Sequence, residues 1–153
     1  MERAQELKKK LYKACQQNLE DRIQAIQRAM GEAQEAANHE TKSSAGDKHE
    51  TGRAMMQLET EKLNARLSEV LSEQDRLRQI RPEKLSRSVE PGALVITDTK
   101  KFYFSMGAGQ LSVEGEEYFA LSMQTPLGQV AKGRKKDDTF ELRGQKYRIK
   151  KIC

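Results

Sequence analysis

Small or apolar residues recur at Ala4, Leu7, Leu11, Cys15, Leu19, Ile23, Ile26, Met30, Ala33 and Ala37, each three or four positions after the last. This spacing predicts one continuous helical stripe. A second series, Met56, Thr60, Leu63, Leu67, Val70, Gln74 and Leu77, alternates four and three, the spacing of a coiled-coil seam. Two such helices joined by a short turn predict an antiparallel coiled-coil hairpin over 1–81, with its tip at about 40–50. At about 1.5 Å per residue each arm would run roughly 45–55 Å, long enough to project from a compact domain of this chain length.

The pattern changes at Pro82 and Pro91. Residues 82–91 are polar and are expected to be a linker. Beyond them, β-type runs are expected at 93–97, 101–105, 118–122, 139–142 and 146–150, with turns supplied by aspartate, threonine, glycine and lysine. Pro126, followed by Leu127-Gly128-Gln129-Val130-Ala131, predicts a helical turn that opens on proline. One short helix against a few strands makes residues 92–153 a small α+β domain, and α+β is the fold class expected of the whole chain.

Composition adds water exposure to this picture. Of the 153 residues 33% are charged and 36% hydrophobic, there is no Trp, and mean hydropathy is −0.86. No apolar run approaches the roughly 20 residues that a spanning helix needs, so a cytoplasmic, bacterial-type protein without a membrane partner is expected. Cys15 and Cys153 fit no metal or redox spacing and are taken as reduced thiols. The formal charge of +5 is uneven: residues 1–90 hold 17 basic and 16 acidic groups, residues 91–153 hold 11 and 7. The excess gathers in 132–136 and in Lys146, Arg148, Lys150 and Lys151, where it would suit nucleic acid or an acidic protein surface, or simply be solvated.

The predicted tip carries the candidate chemistry. Ser44-Ala45-Gly46-Asp47 fits a capping box, with Ser44 as N-cap and a carboxylate three residues on. Glu50 would follow near the positive end of the second helix's dipole, on the same face as Asp47. Capping and a direct functional role are both open for these acids. His39 and His49 flank the turn, but their spacing with Asp47 and Glu50 matches no closed zinc site, and solvated histidines are the simpler reading. Gly107-Ala108-Gly109 lacks the context of a dinucleotide loop and is taken as a turn or bulge. Met55 and Met56 are taken as seam filling. Both histidines lie near the tip and neither cysteine does, so no nucleophile–base pair can be assembled and a self-contained enzyme is not expected.

Two segments give the chain a resemblance to the Gre family of bacterial transcription elongation factors. One is residues 121–134, LSMQTPLGQVAKGR, which resembles that family's strand, proline-led helical turn and glycine-basic segment. The other is residues 46–51, GDKHET, placed where the family carries its acidic turn. With the arm, linker and strands in the same order, the resemblance covers essentially the whole chain. It implies an FKBP-like C-terminal domain that docks on RNA polymerase through Ser122, Pro126, Leu127, Gly128, Gly133 and Arg134. It further implies a coiled coil that enters the polymerase secondary channel, with only indirect contact with nascent RNA and DNA. In the family two acids separated by two residues help the polymerase retain a second magnesium ion and orient water for transcript cleavage. Asp47 matches the second acid. Ser44 stands at the position of the first, a departure that Glu50 or Glu40 would have to offset.

The function expected on this resemblance is a monomeric factor that stimulates transcript cleavage in paused or backtracked complexes. Any Mg2+ would be shared with the polymerase site, the chain itself holding no stable metal. A secondary-channel regulator without cleavage is the alternative. A prolyl isomerase or chaperone is a further one, disfavoured by the absence of Trp and the scarcity of aromatic residues to line an apolar proline pocket.

Overall fold

The computed structural model describes the backbone of residues 2–42 and 47–153, and the side chains of residues 2–39 and 51–153. The protein is α+β: a helical hairpin, α1 (Glu2–Lys42) and α2 (Asp47–Arg78), precedes a mixed sheet of six strands, β1 (Leu94–Thr97), β2 (Lys101–Phe104), β3 (Gly109–Val113), β4 (Glu116–Leu121), β5 (Thr139–Leu142) and β6 (Gln145–Ile152), with a short helix α3 (Pro126–Ala131) between β4 and β5. The chain forms two compact units. One comprises residues 19–72 of the hairpin, and the other joins residues 1–18 to residues 73–153.

In the hairpin unit, Leu19, Ile26 and Ala33 of α1 are buried at intervals of seven, as are Leu63 and Val70 of α2. Seven residues are close to two helical turns, so each series returns to one face. Two positions assigned to the second seam differ from expectation. Thr60 is exposed, and its hydroxyl donates to the Met56 carbonyl at 2.9 Å. Met55 is 63% exposed whereas Met56 is half-buried, because one residue turns a helix by about 100° and only Met56 lies on the seam.

The sheet of the second unit has the order β3-β4-β2-β1-β6-β5. β2 and β4 run parallel, and the other neighbours run antiparallel. One face carries Val95, Phe102, Phe104, Phe140, Tyr147 and Ile149, packed with Ala131 of α3 and with Val89. Phe102 meets the Tyr147 ring edge-on at 5.3 Å between centroids, and Phe140 stacks on Tyr147 at 5.2 Å, geometries that favour aromatic pairs. Val89 belongs to the segment expected as a linker. It is 1% exposed, so that stretch contributes to the core.

The opposite face presents Leu94 and Tyr103, register partners on β1 and β2, to the first turns of α1. Leu11 and Cys15 are fully buried there, and the Cys15 Sγ lies 3.5 Å from the Ser105 Oγ. Lys8 is also wholly buried. Its ammonium donates to the Cys153 carbonyl at 3.0 Å and to the Lys84 carbonyl, joining the start of α1 to two distant parts of the chain. Desolvation lowers the Lys8 pKa, and the charge of Cys153 opposes that shift. The Tyr103 hydroxyl is buried with no hydrogen-bond partner among the described residues, and burial raises its pKa.

Burial also pushes the Cys15 thiol from 9.0 to about 11, against a smaller opposing effect of its contact with Ser105. A raised acid is favoured neutral in the folded state. Its contribution is therefore intact below pH 9 and is lost as pH rises toward 11, by about 2–3 kcal/mol. Lys8 has the opposite slope, since an amine with a lowered pKa costs less once deprotonated, whereas Tyr103 has the same slope as Cys15. Both remain in a Cys15→Ala variant. Urea melts of wild type and variant at pH 8 and pH 11 should therefore give a smaller alkaline loss in the variant, by about 2–3 kcal/mol.

Candidate functional site

Two places were expected to carry function, and the structure describes them to different extents. At the tip, the backbone places Glu40 in the last turn of α1 and Asp47 and Glu50 in the first turn of α2. Ser44 lies outside the described residues, as do the side chains of Glu40, Asp47, His49 and Glu50. The expected capping box and the zinc alternative, which need those groups, therefore lie outside the described residues as well.

The segment between β4 and β5 is described in full. Thr125 has an extended backbone, φ −67° and ψ 159°, and is the N-cap of α3. Its Oγ1 accepts from the Gly128 N–H at 3.1 Å and donates to the Ser122 carbonyl at 2.8 Å. The Ser122 Oγ in turn accepts the Gln124 N–H at 3.0 Å. Pro126 sits at the first helical position, where its missing N–H is no loss, as the sequence predicts. Gly128 is buried against the preceding turn: a Cβ there would lie 2.5 Å from the Met123 carbonyl oxygen. Ser122 and Gly128 therefore shape this turn from within.

Gly133, at φ +76°, reverses the chain after α3. Its N–H donates to the Val89 carbonyl at 2.9 Å, and the Val89 N–H donates to the Arg134 carbonyl at 2.8 Å. Ser88 and Lys135 form an adjacent antiparallel bridge. These bonds fix the glycine-basic segment against residues 88 and 89, while Pro126 and Arg134 stay exposed. A groove of about 470 Å³ opens beside Arg134, lined also by Val130, Lys132, Asp138, Phe140 and Glu141 among others. Its lining mixes both signs of charge with Val130 and the nearly buried Phe140, and the polar groups of Ser122 and Thr125 are already committed to the turn.

Of the six expected docking residues, Pro126, Gly133 and Arg134 are exposed, Leu127 is half-buried, and Ser122 and Gly128 are buried. Sequence reasoning missed two supports from the helices. Arg76 of α2 donates to the Gln124 Oε1 at 2.7 Å and to the Glu73 Oε1 at 2.8 Å. The Glu73 Oε2 accepts the Gly107 N–H at 3.0 Å. The charges of Glu73 and Arg76, three apart on a helix, carry no signal that a loop and a turn of the sheet unit will meet them.

Among the described residues no helix is long and apolar enough to cross a membrane, and no group of three or more histidines, cysteines or acids is placed to hold a metal ion. No family model and no curated protein matches the chain. Among solved structures it is similar to the transcription factor Gfh1, at 17% identity over 92% of this chain and 94% of that one, with a TM-score of 0.38.

Proposed function

We propose that this chain is a Gre-like accessory factor of RNA polymerase, acting as a cytoplasmic monomer. The segment from Ser122 to Arg134 docks on the polymerase, and the end of the hairpin that carries Glu40, Asp47 and Glu50 enters the secondary channel. The observation that supports the reading is the build of that segment: a Thr125-capped, proline-led turn, sealed by Gly128 and turned outward at Gly133, leaves Pro126 and Arg134 at the surface. This gives physical form to the motif on which the family resemblance rests.

In this reading Asp47, with Glu50 or Glu40, supplies carboxylates to the polymerase's own metal site and so stimulates transcript cleavage. Magnesium there would neutralise charge on the scissile phosphate and supply the attacking water. Asp47 and Glu50 lie near the N-terminal end of α2, where the helix dipole favours negative charge. A second reading, regulation without cleavage, is favoured by the neutral Ser44 at the position of the family's first acid. The isomerase reading has less support. Phe102 and Tyr147 are at most 5% exposed and pack on one another, which leaves Phe140, itself 3% exposed, as the aromatic in the lining of the groove beside α3.

The test is co-migration with core RNA polymerase at low salt. Wild type should bind, and affinity should fall as salt screens exposed charges. Arg134→Glu should weaken binding roughly tenfold, equivalent to about 1.4 kcal/mol. Absence of any co-migration by wild type would remove the proposal.

A further inference from the structure

Charge in the sheet unit is divided along the strand order. Residues 91–129, which include β1 to β4, hold two basic and four acidic groups, whereas residues 130–153, which include β5 and β6, hold nine basic and three acidic. On β6, Tyr147 and Ile149 are buried in the aromatic core, so strand alternation turns Lys146 and Arg148 to the other face, where both are exposed. Lys150 continues the row to the irregularity in pairing with β1, and Lys151 follows it, also exposed at 151. Lys146 and Arg148 are thus about 6.6 Å apart along one strand, and Lys150 is the extra residue at the irregularity that follows. Opposing charge is present but smaller, three acids against the four cations: Glu141 is the cross-strand partner of Lys146, the Asp98 Oδ1 accepts the Arg148 N–H at 3.1 Å, and the Asp137 Oδ1 lies 3.8 Å from the Arg148 Nη2, the Asp137 and Arg148 side chains being more than 60% exposed.

We propose that this face of β6 is a binding surface for the sugar–phosphate backbone of duplex nucleic acid. Its composition separates that partner from an acidic protein. Protein interfaces are organised around a desolvated apolar or aromatic centre. Among the described residues the large exposed hydrophobics are Met55, Leu58 and Leu71, all of them on α2, and on this face the residues of β5 and β6 from Thr139 to Lys150 are hydrophilic, with an apolar groove lined by Leu7, Leu94 and Ile96 only at the far end of the row, beside Lys151. A single strand is disfavoured for a related reason, because such sites stack bases on aromatic side chains, and the aromatics nearest this row, Phe140 and Tyr147, are buried in the opposite face. A duplex conceals its bases and presents dense, regularly spaced phosphates, which a row of cations meets without reading sequence.

The experiment uses the full chain and a fluorescent duplex DNA of arbitrary sequence, followed by anisotropy between 50 and 200 mM KCl, with no polymerase present. Three phosphate contacts give a slope of log affinity on log salt of about −2.7, so those contacts alone weaken binding about 40-fold over that range. A Lys146→Ala/Arg148→Ala/Lys150→Ala variant should flatten the slope by about that amount while keeping the wild-type circular dichroism and melting temperature. Three results would overturn the proposal: no duplex binding by wild type at 50 mM KCl, an unchanged slope in the folded variant, or equal competition by polyglutamate, which would assign the surface to an acidic protein. Loss of the polymerase reading would appear separately, as failure of wild type to co-migrate with polymerase.

Discussion

Asp47→Asn is expected to return transcript cleavage on backtracked complexes to the polymerase's intrinsic rate while leaving polymerase affinity and helix content nearly unchanged. The amide keeps the shape and part of the capping capacity of the carboxylate but loses its charge, and charge is what a metal-assisted hydrolysis draws from it. Were Asp47 only part of a cap, the same change would cost at most about 1 kcal/mol of helix stability and leave cleavage untouched. Ser44→Asp supplies the complementary arm. The added carboxylate restores the family's pair of acids and should raise cleavage at limiting magnesium. If wild type, Asp47→Asn and Ser44→Asp are equally inactive on complexes that a cleavage factor rescues, regulation without cleavage becomes the better account.

The largest effect on stability is expected at Gly128. An alanine there would place its Cβ 2.5 Å from the Met123 carbonyl oxygen and 2.7 Å from two further backbone atoms of the same residue. Backbone cannot yield as the end of a flexible side chain can, so α3 must lift away or the Ser122–Thr125 turn must open. Such overpacking costs about 2–3 kcal/mol, a fall of roughly 8–20 °C in melting temperature for a unit of about 100 residues. Polymerase affinity should fall with it. Gly133→Ala is the informative control: it meets no atom within 4 Å but sits at φ +76°, so its cost is backbone strain alone, about 1–2 kcal/mol. A melting temperature for Gly128→Ala within 2 °C of wild type would contradict this packing.

The elements that were legible in the sequence are those whose signal is local. Each residue of the first stripe, from Ala4 to Ala37, is buried or half-buried, because a helical period needs only its own helix to be expressed. Pro126 at the first position of α3 and Gly133 in the left-handed region follow in the same way from backbone preferences of single residues. β3 was not anticipated. Its five residues, Gly109-Gln110-Leu111-Ser112-Val113, contain one buried side chain, Leu111, and the strand exists by pairing along its whole length with β4. The glycine run taken as a turn or bulge in fact leads into it, Gly109 opening the strand at φ +73°.

Tertiary structure alone decided the fate of residues whose partners are remote. Lys8 stands three residues before Leu11 on the buried side of α1, yet its charge excluded it from an apolar stripe. It is buried because carbonyls 76 and 145 residues away converge on its ammonium. Val89 lies in a polar, proline-flanked stretch that any local criterion assigns to a linker, and it enters the core through paired hydrogen bonds with Gly133 and Arg134. The parallel pairing of β2 with β4 likewise has no local signature, since it depends on β3 occupying the outer edge. Periodicity specifies which face of an element seeks burial. Which other element supplies the burial, and which charges find carbonyls there, is fixed only when distant segments compete for the same faces of one sheet.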